Sequence, residues 1–91
     1  MLDQKVASLL NEQVNKEFYS AYLYLDFSNF YKSRSLDGYA NWYEIQAREE
    51  MDHAMMMIRY LQDNDHEVVL EAIDKPQCKL ESPEDPLHAG L

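Results

Sequence analysis

The stretch Phe18-Tyr19-Ser20-Ala21-Tyr22-Leu23-Tyr24-Leu25-Asp26-Phe27-Ser28-Asn29-Phe30-Tyr31 decides how this chain folds. It has no Gly or Pro, and its apolar residues fall on nearly every face of a helical wheel. A helix apolar all round is normally buried all round. One neighbouring helix cannot cover every face, so the stretch points to a bundle larger than a pair of helices.

Outward from this stretch, a segment free of helix breakers covers roughly residues 3–32, and a second covers 38–63. In the first, Val6, Leu10, Val14, Glu17, Ala21, Tyr24, Ser28 and Tyr31 advance in steps of three and four. In the second, Ala40, Tyr43, Ala47, Glu50, Ala54, Met57 and Leu61 do the same. That spacing is the seam of helices packed at about +20° in a bundle. Asp3 and Asp37 read as N-caps, and Gln62-Asp63-Asn64-Asp65 reads as the end of the second helix. The polar run Ser33-Arg34-Ser35-Leu36-Asp37-Gly38 is the turn between them, and so short a turn makes the pair antiparallel. The expected class is all-α: a long antiparallel hairpin over 1–66, which is part of a four-helix bundle. Residues 67–91 form a connection. Glu67-Val68-Val69-Leu70-Glu71-Ala72-Ile73 is too short and mixed for an element of its own and is expected to pack on the bundle. Pro83-Glu84-Asp85-Pro86-Leu87-His88-Ala89-Gly90-Leu91 looks like the approach to a third helix.

Composition narrows the partners. The 91 residues hold 17 acidic against 8 basic side chains, a net charge of −9. Such a balance disfavours nucleic acid and anionic membranes and attracts cations. A hydrophobic fraction of 46% argues against disorder. A domain this small buries only about 60% of its unfolded surface, so a partner or a metal is often needed. With a single cysteine, Cys78, there is no internal disulfide, and a reducing, cytoplasmic setting is expected. The start of the chain shows no signal-peptide pattern, and no apolar run reaches the ~18 residues of a membrane span.

Each seam contains one residue foreign to it: Glu17 between Val14 and Ala21, and Glu50 between Ala47 and Ala54. An ionised carboxylate in an apolar seam costs several kcal/mol unless it is paired or bound to a metal. Two of them on adjacent helices also repel each other. His53, three residues after Glu50, projects from the same face. Two carboxylates and an imidazole suit iron or manganese. Spacing alone leaves another reading open, in which Glu49, Glu50 and Asp52 are a solvated charge run. Tyr24, two turns after Glu17 on the same stripe, is either seam packing or a hydrogen-bonding or redox neighbour of such a site. Met55-Met56-Met57 reads as adaptable core and contact surface. His66 and His88 read as solvent residues in loops, and Cys78 has no base near it in sequence.

The run Leu10-Asn11-Glu12-Gln13-Val14-Asn15-Lys16-Glu17-Phe18-Tyr19-Ser20-Ala21-Tyr22-Leu23-Tyr24 resembles the first helix of ferritins, with the pattern N-x-E-x-Y-x-A-x-x-Y. Glu49-Glu50-Met51-Asp52-His53-Ala54 is similar to the E-E-x-x-H-A of their second helix, and Ile73-Asp74-Lys75-Pro76 with Glu81-Ser82-Pro83 to their crossover loop. A Glu-x-x-His motif beside an inward Glu is half of the carboxylate arrangement of ferritin-like di-iron bundles. The resemblance is to bacterial-type non-haem ferritins and implies a ferritin-like four-helix bundle. In that case Glu17, Glu50 and His53 are iron ligands of a ferroxidase centre, with Glu50 as the bridge. Tyr24 stands beside the centre, and Glu49 serves an accessory third iron site. The implied activity is oxidation of Fe(II) by dioxygen or peroxide, with mineral stored in a 24-subunit shell.

Family subunits have four long helices, so these residues encode half of the centre. Either a companion C-terminal fragment or a second copy of the chain is expected to supply the rest. Two other classes remain. A metal-free helical interaction module requires Glu17 and Glu50 to face solvent. A haem-bearing bacterioferritin-like subunit is suggested only by Met51, so haem is not expected.

Overall fold

The structure, a computed structural model, describes residues 3–76. Two α-helices account for most of them: α1, Gln4–Ser33, and α2, Asp37–Asp63. Both match the expected segments to within a residue at each end. They lie side by side as an antiparallel hairpin, and the described residues measure 48 × 20 × 18 Å along their principal axes.

Both helices stop in the same way. At the end of α1 the Leu36 N–H bonds the Tyr31 carbonyl at 2.9 Å, and the Ser35 N–H bonds the Lys32 carbonyl at 3.0 Å. At the end of α2 the His66 N–H bonds Leu61 O at 3.0 Å, and the Asp65 N–H bonds Gln62 O at 3.1 Å. This paired closure of orphan carbonyls is the Schellman motif. Its left-handed residue is Ser35 in one case (φ 60) and Asp65 in the other (φ 62). Glycine does not make the turn: Gly38, expected there, lies inside the first turn of α2. Asp37, expected as an N-cap, is helical, and Leu36 takes the cap position. The Asp37 carboxylate instead spans the turn to Lys32 Nζ at 3.0 Å. Asp3 does hold the N-cap position of α1, but its side chain makes no capping bond. His66, read from sequence as a solvent residue, is half-buried where it closes α2.

The expected seams form most of the core, but at the N-terminal end Val6 is exposed and Ala7 is buried in its place, and Phe27, off the first stripe, is fully buried. The core divides in two. Towards the turn, Phe27, Tyr31, Ala40 and Tyr43 pack with Leu23, Tyr24, Phe30 and Leu36. Towards the open end, Ala7, Val14, Ala54 and Leu61 pack with Leu10, Phe18, Met57, Ile58 and Val68. Ser28, the polar member of the first stripe, donates its hydroxyl to the Ala40 carbonyl at 2.7 Å and ties the helices together. Tyr22 and Leu25 stay exposed, so the all-round apolar stretch of α1 has a face that α2 does not cover.

Beyond α2 the described chain has no helix or strand and lies back along α1. Asn11 and Asn15, one turn apart, hold it through four hydrogen bonds. The Val69 N–H donates to Asn11 Oδ1 at 2.8 Å, and both amide groups donate to Val69 O at 3.0 Å. The Glu71 N–H donates to Asn15 Oδ1 at 2.8 Å. Ala72, Ile73 and Asp74 continue past Lys16 and Tyr19. The segment therefore runs in the direction of α1, back towards the turn end. A helix that follows it from there would run antiparallel to α1. The approach expected at Pro83–Leu91, with Cys78 and His88, lies outside the described residues.

Candidate metal centre

Between the two apolar clusters the helices carry Ala21 and Ala47, both buried, and one turn away Glu17 and Glu50. The small alanines leave room there, and the carboxylates fill it. The side chains of Glu17 and Glu50 are only 13% and 22% exposed, so both point inward. His53 completes the group at 54% exposure, which makes its side the open one. His53 Nδ1 is 3.8 Å from Glu17 Oε2 and 3.8 Å from Glu50 Oε2. Both distances are too long for hydrogen bonds. One ligand atom from each of the three residues lies within 4.8 Å of the others. Two ligands on one first-row cation stand at most about 4.2 Å apart, twice a bond of about 2.1 Å. Small side-chain rotations would therefore let all three share an ion. Gln13, one turn before Glu17, donates Nε2 to Glu17 Oε1 at 2.9 Å and orients that carboxylate.

Of the residues singled out in the sequence, three come together and two do not join them. Glu49 is exposed and takes no part in the ligand group. Tyr24 is half-buried among rings, 6.0 Å from Tyr43 and 6.3 Å from Phe27 between centroids. Sequence reasoning missed Gln13 and the Asn11–Asn15 clasp, although each lies at the i, i+4 spacing that brings side chains together. It also missed the ring contacts of Tyr43. Among the described residues the Tyr43 hydroxyl is buried without a hydrogen-bond partner, and burial together with Tyr31 and Tyr24 pushes its pKa up to about 12.

The pattern of the ferritin-like domain matches residues 7–91. The chain belongs to the ferritin-like family. Among relatives of this ferritin-like chain, a bacterial non-heme ferritin of Campylobacter jejuni is 43% identical over 82 residues, covering 90% of this chain and 49% of that protein. Another from Staphylococcus saprophyticus is 34% identical over 91 residues, covering all of this chain and 54% of that one. In three dimensions the chain is similar to an open-pore ferritin from the archaeon Archaeoglobus fulgidus, with a TM-score of 0.90 and 35% identity. That match covers 98% of this chain and 55% of the archaeal one. A Chlorobium tepidum ferritin gives the same TM-score at 31% identity, again over 98% and 55% of the two chains. The chain thus spans about half the length of the relatives it matches, and its hairpin is a hairpin of the ferritin fold. Among the described residues no helix is long and apolar enough to cross a membrane.

Proposed function

We propose that this chain is half of an iron-storage subunit whose inward carboxylates bind Fe(II) and promote its oxidation to Fe(III). The observation that carries this reading is the convergence of Glu17, Glu50 and His53 within 4.8 Å, with both carboxylates largely withdrawn from water. Two like charges facing each other between apolar clusters are stabilised by a cation. The oxygen-rich set with one imidazole matches half of the ligands of a ferritin-like di-iron site. The metal-free interaction module requires these carboxylates in solvent, and their low exposure argues against it. Relatives described as non-heme ferritins favour the non-haem reading.

On this reading the ferroxidase centre has Glu17 and His53 as terminal ligands and Glu50 as the bridge between two iron ions. The open side at His53 receives the remaining ligands, from a companion fragment or another copy of the chain. Each Fe(II) gives up one electron to dioxygen or peroxide. The ferric product mineralises inside an oligomeric shell, 24 subunits by family likeness, in the cytoplasm. Gln13 keeps Glu17 aimed at the metal, and the alanines beside the carboxylates give the ions space. Glu49 acts as an outer iron ligand, and Tyr24 as a neighbour of the centre.

The test is stopped-flow oxidation of Fe(II) by the assembled protein. Glu50→Ala and His53→Ala are each expected to abolish the fast phase while circular dichroism shows helicity retained. Unchanged kinetics in both variants would sink the assignment. Native mass spectrometry of the iron-loaded protein then reports whether the other half of the bundle is a second copy or a different chain.

A further inference from the structure

The two carboxylates of the ligand group differ in what else holds them. Glu17 uses its oxygens separately: Oε1 accepts a hydrogen bond from Gln13 Nε2 at 2.9 Å, while Oε2 stands 3.8 Å from His53 Nδ1. Among the described residues the Glu50 carboxylate accepts no hydrogen bond, and its Oε2 stands 3.8 Å from the same Nδ1. One carboxylate is clamped and the other is free to turn. The clamp is local to α1, because side chains four residues apart lie one above the other on a helix. Gln13 is exposed, so its amide reaches the half-buried carboxylate from the helix surface.

The clamp bears on how Glu17 can meet a cation. A carboxylate binds a metal ion through one oxygen or chelates it through both. Chelation suits a large ion such as Ca(II), which gathers roughly six to eight oxygens at about 2.3–2.6 Å in a flexible geometry. One oxygen from each carboxylate with an imidazole suits the smaller first-row divalent ions, whose bonds are about 2.0–2.2 Å. Turning both Glu17 oxygens onto one ion disturbs the bond to Gln13, and hydrogen bonds to charged groups are the stronger ones. A neutral amide also clamps without setting a positive charge beside the cation, as Lys or Arg at this position would.

We propose that Gln13 is a specificity-determining residue: by engaging Oε1 it restricts Glu17 to one-oxygen binding, so that the ligand group discriminates against calcium-sized ions. Bridging then falls to Glu50, whose oxygens are both free. Gln13 acts through Glu17 and is a positioning residue; it does not touch the ion. Without it Glu17 regains its second oxygen, and the large ion gains most from that. The inference rests on the proposed metal site at Glu17, Glu50 and His53.

The full chain is titrated calorimetrically with Zn(II) and with Ca(II), two redox-silent probes, and infrared difference spectra compare the metal-bound and metal-free forms. The gap between the asymmetric and symmetric carboxylate stretches is wide for one-oxygen binding and narrow for chelation. Glu17→Gln marks the bands that belong to Glu17. The wild type is expected to show a wide Glu17 gap and a strong preference for Zn(II). Gln13→Met, of similar shape but without a donor, should narrow the gap and raise Ca(II) affinity relative to Zn(II) about tenfold, the worth of one hydrogen bond to a charged group. Gln13→Asn, whose amide is one methylene too short to reach Glu17, should follow Gln13→Met. A wide gap and an unchanged affinity ratio in Gln13→Met overturn the proposal and leave the metal site standing. An equal loss of affinity for both ions also overturns it and identifies a general weakening of α1, which circular dichroism records. Zn(II) binding undiminished in both Glu17→Gln and His53→Ala defeats the site reading, and the role of Gln13 with it.

Discussion

The turn end and the open end of the hairpin bury their helices with different materials. At the turn, Phe27, Tyr31 and Tyr43 are fully buried, and Tyr31 and Tyr43 stack nearly parallel, 9° between ring planes. At the open end the buried residues are Ala7, Val14, Ala54 and Leu61, and closure needs Val68 from the segment beyond α2. The aromatic end is held by its own side chains, while the aliphatic end depends on a strap laid over it. The carboxylates sit at the junction, where neither cluster fills the space. A hairpin built this way can keep one end fixed while the site and the other end await the rest of the bundle.

Truncation should break this comparison most sharply. Phe27→Ala removes a fully buried ring from a crowd of other rings and is expected to cost about 3–5 kcal/mol. Val14→Ala, equally buried at the aliphatic end, removes far less and should cost about 1–2 kcal/mol. Urea unfolding monitored by circular dichroism measures both. Equal losses would mean that the two clusters share the load evenly.

Alkaline pH probes the turn end alone. Tyr43 ionises near 10 in the unfolded chain and near 12 when folded. Between those values the unfolded chain has lost a proton that the folded chain retains, so stability falls as pH rises; below pH 10 this contribution is constant. The span amounts to about 2–3 kcal/mol by linkage. Tyr43→Phe should flatten that part of the stability–pH curve, and removing a buried hydroxyl without a partner should leave neutral-pH stability level or higher. An unaltered alkaline limb in the variant would assign the loss to other groups.

The strap is the corresponding handle on the open end. Asn15 accepts from Glu71 N–H and donates to Val69 O and Asn11 O, and Asn15→Ala gives up all three bonds. The expected cost is about 1 kcal/mol, because the freed groups are near water. Hydrogen exchange should quicken at the Glu71 amide and stay unchanged in the α1 and α2 amides around Tyr31 and Tyr43. Faster exchange at the turn end as well would show that the two ends are coupled.

How far the sequence is legible follows from the same contrast. Period and absence of breakers give the helices almost to the residue, because burial and propensity agree over thirty positions of α1. The foreign carboxylates Glu17 and Glu50 stand out because a charge in an apolar seam has few explanations, and they do point inward. The Asn11–Asn15 clasp was not legible: polar residues on an exposed helix face look like solvent contacts until a distant backbone, that of Val69 and Glu71, is laid against them. Tyr43 read as one more seam residue, since spacing shows that a ring is buried but not which rings it touches. Val6 and Ala7 exchanged roles because the end of a stripe has no following turn to fix its phase.

The smallest effect concerns the turn, where the sequence places its one early glycine three residues from where the backbone could use it. Ser35 takes the left-handed conformation that a side chain adopts at a cost of roughly 1 kcal/mol. Gly38 sits in a helical turn, where a Cβ would meet nothing within 4 Å. Ser35→Gly should therefore stabilise the hairpin by up to about 1 kcal/mol, less the added freedom of the unfolded chain. Gly38→Ala should add up to about 0.5 kcal/mol by removing glycine from the first turn of a helix. The two effects should be nearly additive, since Ser35 acts through φ and Gly38 through chain entropy. Both are read from the urea midpoint with an unchanged slope. If either substitution instead slowed assembly while raising hairpin stability, the polar turn would be kept for a neighbouring chain rather than for its own fold.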